Sequence, residues 1–404
     1  LKNYPNSSFS NNAYAQLGNI YFNKKQDEKA FEYFDKFVQT DTKSDAAKEV
    51  LEAIKKIFQA KGDVEGMEKY FASVGNPLSE NQLEKEIFNT AYDAYYNQKN
   101  CDIAMPKWEN YISKFPNGKY INEAQFCLAE CAYSKNLFEK ALTGYLYLIT
   151  KPRNINTEVA LAKASYIYFK DKKYAEALPL FQQLQEVAET PSNKSAGRFG
   201  AMRSAFNILN YETALQECNK VMSTEKLSPQ QVSEAKYIKA KSLFETNRLN
   251  DALIEFKDIT KTAKNATGAE AFYHIGKIQY SKSEFKDVDK TVNKIISFPY
   301  TNDYWNNKGM LLLADAYIAL NENANAKIIL QTIIDGKGKQ EFIDEAQQKI
   351  KSIDEIENQK ILNLKVEQTD LKINNTTNNS DKDLFDKLIE ESQNNQTNNP
   401  NAPK

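Results

Sequence analysis

The cysteines and the single histidine are the side chains of this sequence best suited to reactive chemistry. The chain has four cysteines, Cys101, Cys127, Cys131 and Cys218, and one histidine, His274. Cys127 and Cys131 stand four residues apart in one predicted helix, but no second Cys or His pair completes a zinc site. We therefore expect buried apolar thiols, and we expect neither a metal site nor a cofactor.

Acid–base and nucleophilic catalysis are not supported by the remaining residues. His274 lies inside a helical pattern, where a satisfied structural imidazole is expected. Carboxylates could replace it as acid and base, but no paired-carboxylate motif stands out. Since no nucleophile, metal or phosphate-binding motif is present either, we expect a protein that is not an enzyme.

The charge balance and hydropathy exclude two classes of partner. The chain carries 53 Lys and Arg against 54 Asp and Glu, so its overall charge does not favour nucleic acid. No apolar run approaches the ~18 residues that span a membrane, and no secretory segment opens the chain. The sequence begins at Leu1 without a Met, which suggests a fragment or a processed chain. We expect no nucleic acid and no membrane insertion by this chain, although a membrane-associated complex stays open.

The sequence contains an internal repeat, and the repeated elements must position any binding surface of the chain. Gly (13) and Pro (11) are scarce, which favours long helices over a turn-rich β protein. A small residue, the marker, recurs every 36 to 38 residues after a short polar turn, and four residues beyond it stands a bulky one in most copies. The nine markers are Ala30, Gly66, Ala104, Ala141, Ala177, Ala214, Ala252, Val288 and Ala326.

The spacing within each copy predicts two amphipathic helices. Residues at i, i+3, i+4 and i+7 share one helix face, so each copy is a helical hairpin whose small marker lets the second helix approach the first. One hairpin cannot bury its apolar stripe alone, so neighbours must stack. Gly66 and Val288 depart from the usual marker, and we expect looser or shifted packing there.

The stretch "AYAQLGNIYFNKKQDEKAFEYF" resembles a tetratricopeptide repeat, with Leu17, Gly18, Tyr21 and Phe34 on the family's signature positions. "SYIYFKDKKYAEALPLFQQL" is similar. The resemblance implies an all-α, right-handed superhelical solenoid of about nine repeats, which bind protein or peptide partners on a concave face lined by the first helices. The predicted domains are the end of a truncated repeat at 1–10, the solenoid at 11–335, a capping helix at 336–365 and a disordered Asn-rich tail at 366–404.

A narrower resemblance concerns the place of action. "YPNSSFSNNAYAQLGNIYF" and "FPNGKYINEAQFCLAECAY" are similar to bacterial cell-envelope repeat proteins, such as the Tol-Pal-associated periplasmic coordinator and the barrel-assembly lipoprotein. "DYWNNKGMLLLADAYIALNENANAKIILQTIID" is similar to long repeat proteins of the Bacteroidota envelope. The resemblance implies a periplasmic or outer-membrane-associated bacterial protein, and a cytoplasmic one is not excluded.

An aromatic column follows the first helices at one fixed position, and we name it the ring column. Either these rings wedge neighbouring first helices together, or they form a partly exposed surface for a partner's apolar side chains. Eight of its nine members are aromatic: Phe22, Phe58, Tyr96, Tyr133, Phe169, Phe206, Phe244, Tyr280 and Ile318.

A polar column stands three residues before the ring column. It changes from acidic in the middle repeats to basic in repeats six to eight, which would orient a partner unless it is an ordinary solvated face. Its members are Asn19, Lys55, Asp93, Glu130, Tyr166, Arg203, Lys241, Lys277 and Asp315. The residues predicted to bind a partner are Phe22, Asn19, Phe58, Tyr96, Tyr133, Tyr166, Phe169, Arg203, Phe206, Lys241, Phe244, Lys277 and Tyr280.

The C-terminal tail offers one further candidate for partner binding. "SDKDLFDKLIEE" predicts a short helix at 381–391, capped by Ser380, that either orders on a partner or belongs to an inert Asn-rich tail. Taken together, the sequence predicts a non-enzymatic scaffold that binds a partner peptide or helix in cell-envelope assembly or maintenance. The alternatives are a structural subunit of an envelope complex that uses the solenoid edges and, less favoured, a glycan-binding repeat protein with open, flat rings.

Overall fold

The computed structural model describes residues 8–224, 226–336 and 338–396, and within these ranges every regular element is helical. The chain divides into two compact units, Leu1–Glu225 and Lys226–Lys404. This boundary falls between the sixth and seventh predicted repeats. The all-α fold of helical hairpins is confirmed, and the right-handed superhelical course stays a prediction.

The first unit contains six described hairpins, each with a first and a second helix, and helices that follow each other in the chain pack together. The fifth helix continues into a π-helical turn, Asp93–Asn97. The helices are α1 (Ser8–Asn23), α2 (Asp27–Val38), α3 (Asp45–Lys61), α4 (Val64–Ser73), α5 (Glu80–Tyr92), α6 (Cys101–Lys114), α7 (Ile121–Ser134), α8 (Phe138–Ile149), α9 (Thr157–Lys170), α10 (Tyr174–Val187), α11 (Pro191–Asn207) and α12 (Tyr211–Met222).

The second unit contains three described hairpins and one long final helix. Ser228 begins this unit's first helix as an N-cap, because its hydroxyl accepts a hydrogen bond from the backbone of Gln231. The helices are α13 (Pro229–Glu245), α14 (Leu249–Thr262), α15 (Thr267–Ser281), α16 (Phe285–Ile296), α17 (Asp303–Ala319), α18 (Asn323–Asp335) and α19 (Gln340–Gln396).

The small markers lie where the two helices of a hairpin come closest. Eight of the nine are completely buried, including Val288, so the eighth repeat keeps the common register. In the first repeat the approach leaves no room at Gly18, because an added Cβ would lie 2.3 Å from the ring of Phe34. The second repeat is shifted by one residue, since Met67 and Phe71 are buried there instead of Gly66 and Tyr70.

A left-handed residue closes the turn inside every described hairpin. In the fourth hairpin, for example, Asn136 has a φ of 60° and the amide of Leu137 donates to the carbonyl of Ala132. This six-to-one bond is the Schellman termination, which needs a residue of positive φ after the helix. The nine residues are Lys25, Gly62, Lys99, Asn136, Lys172, Leu209, Asn247, Ser283 and Asn321.

A disulfide joins Cys101, at the start of α6, to Cys131 in α7. This corrects the expectation that all four cysteines are free thiols, because antiparallel packing brings the two Cα atoms to 5.3 Å although they are 30 residues apart in sequence. Closing a loop of that length stabilises the fold by about 3–4 kcal/mol in the chain-entropy account. Cys127 and Cys218 are free and buried.

The final helix begins as a cap on the last hairpin. Phe342, Ala346 and Ile353 are buried against α17 and α18, and Lys349 pairs with Asp315 at 2.6 Å. The described backbone does not break near residue 365, where we expected the tail to begin, but is helical to Gln396. Helix propagation adds one hydrogen bond for each residue fixed, which allows this extension although the described side chains of 358–368 are exposed. Residues 397–404 lie outside the described part.

The left-handed turn predicts that Leu209→Gly stabilises the protein. Leu209 has a φ of 60° and an exposed side chain, so glycine relieves the Cβ strain at little cost in packing. We expect a gain of about 1 kcal/mol, measured as a higher midpoint in thermal unfolding followed by circular dichroism. The control is Ile208→Gly, where φ is −89° and glycine should destabilise. A lower midpoint for Leu209→Gly would contradict the prediction.

Candidate partner-binding surface

The ring column packs first against the second helix of its own hairpin. In the fifth repeat the ring of Phe169 lies 5.1 Å from that of Tyr174 and 6.0 Å from that of Phe181. Phe22, Phe58, Tyr133, Phe206, Phe244 and Tyr280 make similar contacts with a ring of their own second helix. All of these rings are half-buried, and only Tyr96 among the aromatic members is exposed.

The ring column also reaches the first helix of the next repeat, and we call this contact between successive first helices a joint. The ring of Tyr133 carries Nζ of Lys163 at 4.5 Å, and that of Phe244 lies 4.8 Å from the ring of His274. The hydroxyl of Tyr96 lies 3.7 Å from Sγ of Cys127. The rings therefore belong to the packing of the solenoid, and most present only one edge to solvent.

Several members of the polar column form ion pairs across these joints. Lys55 pairs with the buried Glu86 at 3.0 Å, and Lys241 pairs with Glu270 at 3.4 Å. Glu130 likewise pairs with Lys163 at 2.7 Å. These pairs are at most partly exposed. The charges of these residues are therefore neutralised by ion pairs within the fold and do not form a free charge gradient on the surface.

The other members of the polar column are placed differently. The guanidinium of Arg203 lies 5.4 Å from the ring of Phe199, while Asn19 and Lys277 are exposed. Tyr166 on α9 is 50% exposed. That these residues bind a partner, as the sequence indicated, stays a prediction.

The histidine lies in a buried polar cluster at the joint between α13 and α15. Its Nε2 atom lies 3.0 Å from Nζ of Lys241, and its ring stacks on Phe256 at 4.9 Å. Burial lowers the pKa of His274 although Glu270 opposes the shift. Burial acts to raise the pKa of Glu270, but contacts with His274, Lys241 and Tyr237 hold it below its usual value. A neutral imidazole that accepts a hydrogen bond from Lys241 is a structural group here.

Comparison with known proteins identifies the hairpin. The family model described as tetratricopeptide repeat matches residues 12–44, which cover most of α1 and all of α2. Residues 12–44 form a tetratricopeptide repeat. The superfamily predicted from the sequence is thereby confirmed, and its fold is one that proteins use to bind other proteins.

Three solved structures are similar at low identity, and two of them are described as tetratricopeptide repeat proteins. One from Parabacteroides merdae is 14% identical with a TM-score of 0.32, covering 67% of this chain and 98% of that chain. The P58(IPK) TPR domain is 12% identical with a TM-score of 0.28, covering 86% and 99%. Naa15/Naa10 bound to HypK-THB gives 13% identity and a TM-score of 0.41, covering 67% of this chain and 39% of that chain. No curated protein matches the sequence.

The first helix of the third hairpin, with its π-helical turn, carries two exposed aromatic rings that contact each other. The ring centroids of Tyr92 and Tyr96 lie 4.3 Å apart, with the rings tilted by 34°, and the two side chains are 41% and 38% exposed. Tyr95 packs edge-on to Tyr96 at 4.7 Å, and burial raises the pKa of Tyr95 to about 12. The hydroxyl of Tyr96 donates to Glu123 of α7 at 2.6 Å. We name Tyr92, Tyr96, Glu123 and Tyr166 the tyrosine surface.

Sequence reasoning missed two members of the tyrosine surface, Tyr92 and Glu123. Tyr92 occupies a position that is small in several other repeats, and the π-helical turn that follows it changes the register. Glu123 has a signal in the sequence, because Glu86, Glu123 and Glu270 all stand eighteen residues before their markers. In the described part of the chain no group of three metal-ligating side chains occurs, and no helix is both long and apolar enough to cross a membrane.

The buried imidazole predicts a pH dependence of stability. Because the pKa of His274 is lowered in the fold, the unfolded chain binds a proton that the folded chain does not, and stability falls as pH drops below about 6.5. We expect the urea midpoint to decrease as the pH is lowered from 7.5 to 5.5. The free energy of unfolding should decrease by less than about 1.4 kcal/mol per pH unit over this range. His274→Gln removes the chain's one histidine and should flatten the slope. An equal slope in the variant would contradict the assignment.

Proposed function

We propose that this chain is a non-enzymatic scaffold that holds an extended segment of a partner protein across the first helices of repeats three to five. The observation that carries the proposal is the tyrosine surface. Large exposed aromatic rings supply contact area at low cost in conformational entropy, and they are enriched among residues that dominate binding energy. Elsewhere in the ring column the aromatic side chains are half-buried in their own hairpins.

A different feature, the Cys101–Cys131 disulfide, supports the compartment that we propose. Disulfides persist in oxidising compartments such as the bacterial periplasm and are rare in the reducing cytosol. Together with the likeness of the sequence to cell-envelope repeat proteins, this supports a role in the bacterial envelope, on the periplasmic side. The proposed role is assembly or maintenance of the envelope through partner capture.

A second candidate function is that of a structural subunit that contacts its complex through the second helices. In the second unit Ile254 of α14 and Ile328 of α18 are 66% and 64% exposed. Isolated exposed isoleucines are ordinary, but two on second helices of the same unit suit a flat permanent contact. The same experiment separates this function from the first.

The tyrosine surface is tested by selecting displayed random 12-residue peptides on the intact, oxidised protein. We expect selected peptides to lose at least about tenfold in affinity for Tyr96→Ala/Tyr166→Ala, because each exposed ring contributes about 1 kcal/mol or more at an interface. Ile328→Ser is the matched control and should bind unchanged. Peptides that depend on Ile328 instead would favour the structural subunit, and binding of oligosaccharides alone would favour a glycan-binding protein.

The compartment is tested on the protein as it leaves the cell. Free thiols are alkylated at lysis, and the tryptic peptides that contain Cys101 and Cys131 are weighed. We expect the two to be recovered as one disulfide-linked pair, while Cys127 and Cys218 are alkylated after denaturation. Recovery of alkylated Cys101 and Cys131 would place the protein in a reducing compartment.

A further inference from the structure

Two of the joints between first helices close with the same kind of ion pair. In each of them the polar-column residue of one repeat faces a glutamate that stands eighteen residues before the marker of the next repeat. In the second and seventh repeats that residue is a lysine, and the pairs Lys55–Glu86 and Lys241–Glu270 close at 3.0 Å and 3.4 Å. Each glutamate at these joints is thus matched by a cation of the preceding repeat.

The joint between the third and fourth repeats has a glutamate at the same position but no lysine opposite it. The two positions are Asp93 and Glu123, both acidic. Glu123 contacts two neutral groups, the hydroxyl of Tyr96 at 2.6 Å and the thiol of Cys127 at 3.8 Å. The two oxygens of Asp93 accept from the side-chain amides of Asn97 at 2.8 Å and Gln98 at 2.6 Å. Lys107 is a cation whose charge reaches Asp93, but neither carboxylate has a lysine placed as Lys55 and Lys241 are.

The following joint shows how a cation sits in this geometry. Nζ of Lys163 lies 4.5 Å over the ring of Tyr133 and 2.7 Å from Glu130. The residue at the same repeat position in α7 is Cys127, fourteen residues before its marker. Burial raises the pKa of the Cys127 thiol, with the charge of Glu123 acting in the same direction, so this side chain stays neutral. The fourth repeat therefore supplies no cation to the ring of Tyr96 at this position.

We infer that the tyrosine surface takes a lysine or arginine side chain of the partner segment, held over the rings of Tyr92 and Tyr96 and against Glu123. This inference rests on the proposed function and names the chemistry of its partner. A cation over a tyrosine face gains about 0.5–1 kcal/mol at an exposed site, and a carboxylate beside it adds an ion pair. The rings are exposed, in contact with each other and next to an acidic side chain, which is the complement of a cationic side chain with an apolar stem.

The disulfide fixes both sides of this surface. Cys101 follows the π-helical turn that carries Tyr96, and Cys131 lies in the same helix as Glu123. The covalent link therefore joins the segment that follows Tyr96 to the helix that carries Glu123, independently of any ligand. Such preorganisation reduces the conformational entropy that binding would otherwise cost.

The test uses the peptides selected on the oxidised protein, with affinity measured by fluorescence anisotropy at low and high salt. We expect the peptides to be enriched in Lys and Arg, and Glu123→Gln to weaken binding about fivefold and to reduce its salt dependence. The matched control is Glu139→Gln, an exposed carboxylate on the second helix α8, which should bind unchanged.

A second variant builds the ion pair found at the joints of Lys55 and Lys241. Asp93→Lys places a lysine opposite Glu123, as Lys55 stands opposite Glu86, and should abolish the preference for cationic peptides without lowering the thermal midpoint. Peptides that need Tyr96 but contain no excess of Lys or Arg would overturn this inference and leave the proposed function standing. The absence of any Tyr96-dependent peptide would overturn both proposals. Unchanged peptide affinity in Glu123→Gln and Asp93→Lys would overturn this inference alone.

Discussion

The close approach of two helices at one small, fully buried residue is the constraint on which the rest of this structure depends. At most markers that residue is alanine, and its complete burial sets the distance at which the bulky residue four positions later fills the hairpin. A glycine in the first helix, such as Gly18, carries the same requirement from the other side. Because each hairpin leaves an apolar stripe uncovered, stacking follows from this packing within each unit.

When the hairpins stack, successive first helices meet at joints. Two of these joints differ in how they satisfy their charged side chains. Where Lys55 meets Glu86 the charges are satisfied within the fold and half-buried, so nothing is left for a partner. At the joint of Asp93 and Glu123 the fold satisfies the carboxylates with neutral donors and leaves two tyrosine rings exposed. The same repeat positions thus form an ion pair in one place and leave exposed rings beside a carboxylate in another, without a change of fold.

The buried titratable groups of the second unit also satisfy one another within the fold. His274, Lys241 and Glu270 form one buried cluster, in which burial lowers the pKa of the imidazole and Nε2 of His274 lies 3.0 Å from Nζ of Lys241. The disulfide adds a covalent constraint between α6 and α7. It joins the helix that follows the exposed rings of Tyr92 and Tyr96 to the helix that carries Glu123.

The sequence by itself determined the helical hairpin, the number of repeats and the register of every repeat except the second, because these depend on local periodicity and on small residues at fixed spacing. It could not decide which ring-column residues are open, since exposure depends on what the neighbouring helix brings to each ring. Tyr96 is exposed and Phe169 is half-buried although both stand at the same position. Only the tertiary structure paired Cys101 with Cys131, matched Lys241 with Glu270 and left Glu123 beside a tyrosine. Those outcomes join residues about thirty positions apart, and long-range proximity of that kind is fixed by packing between helices.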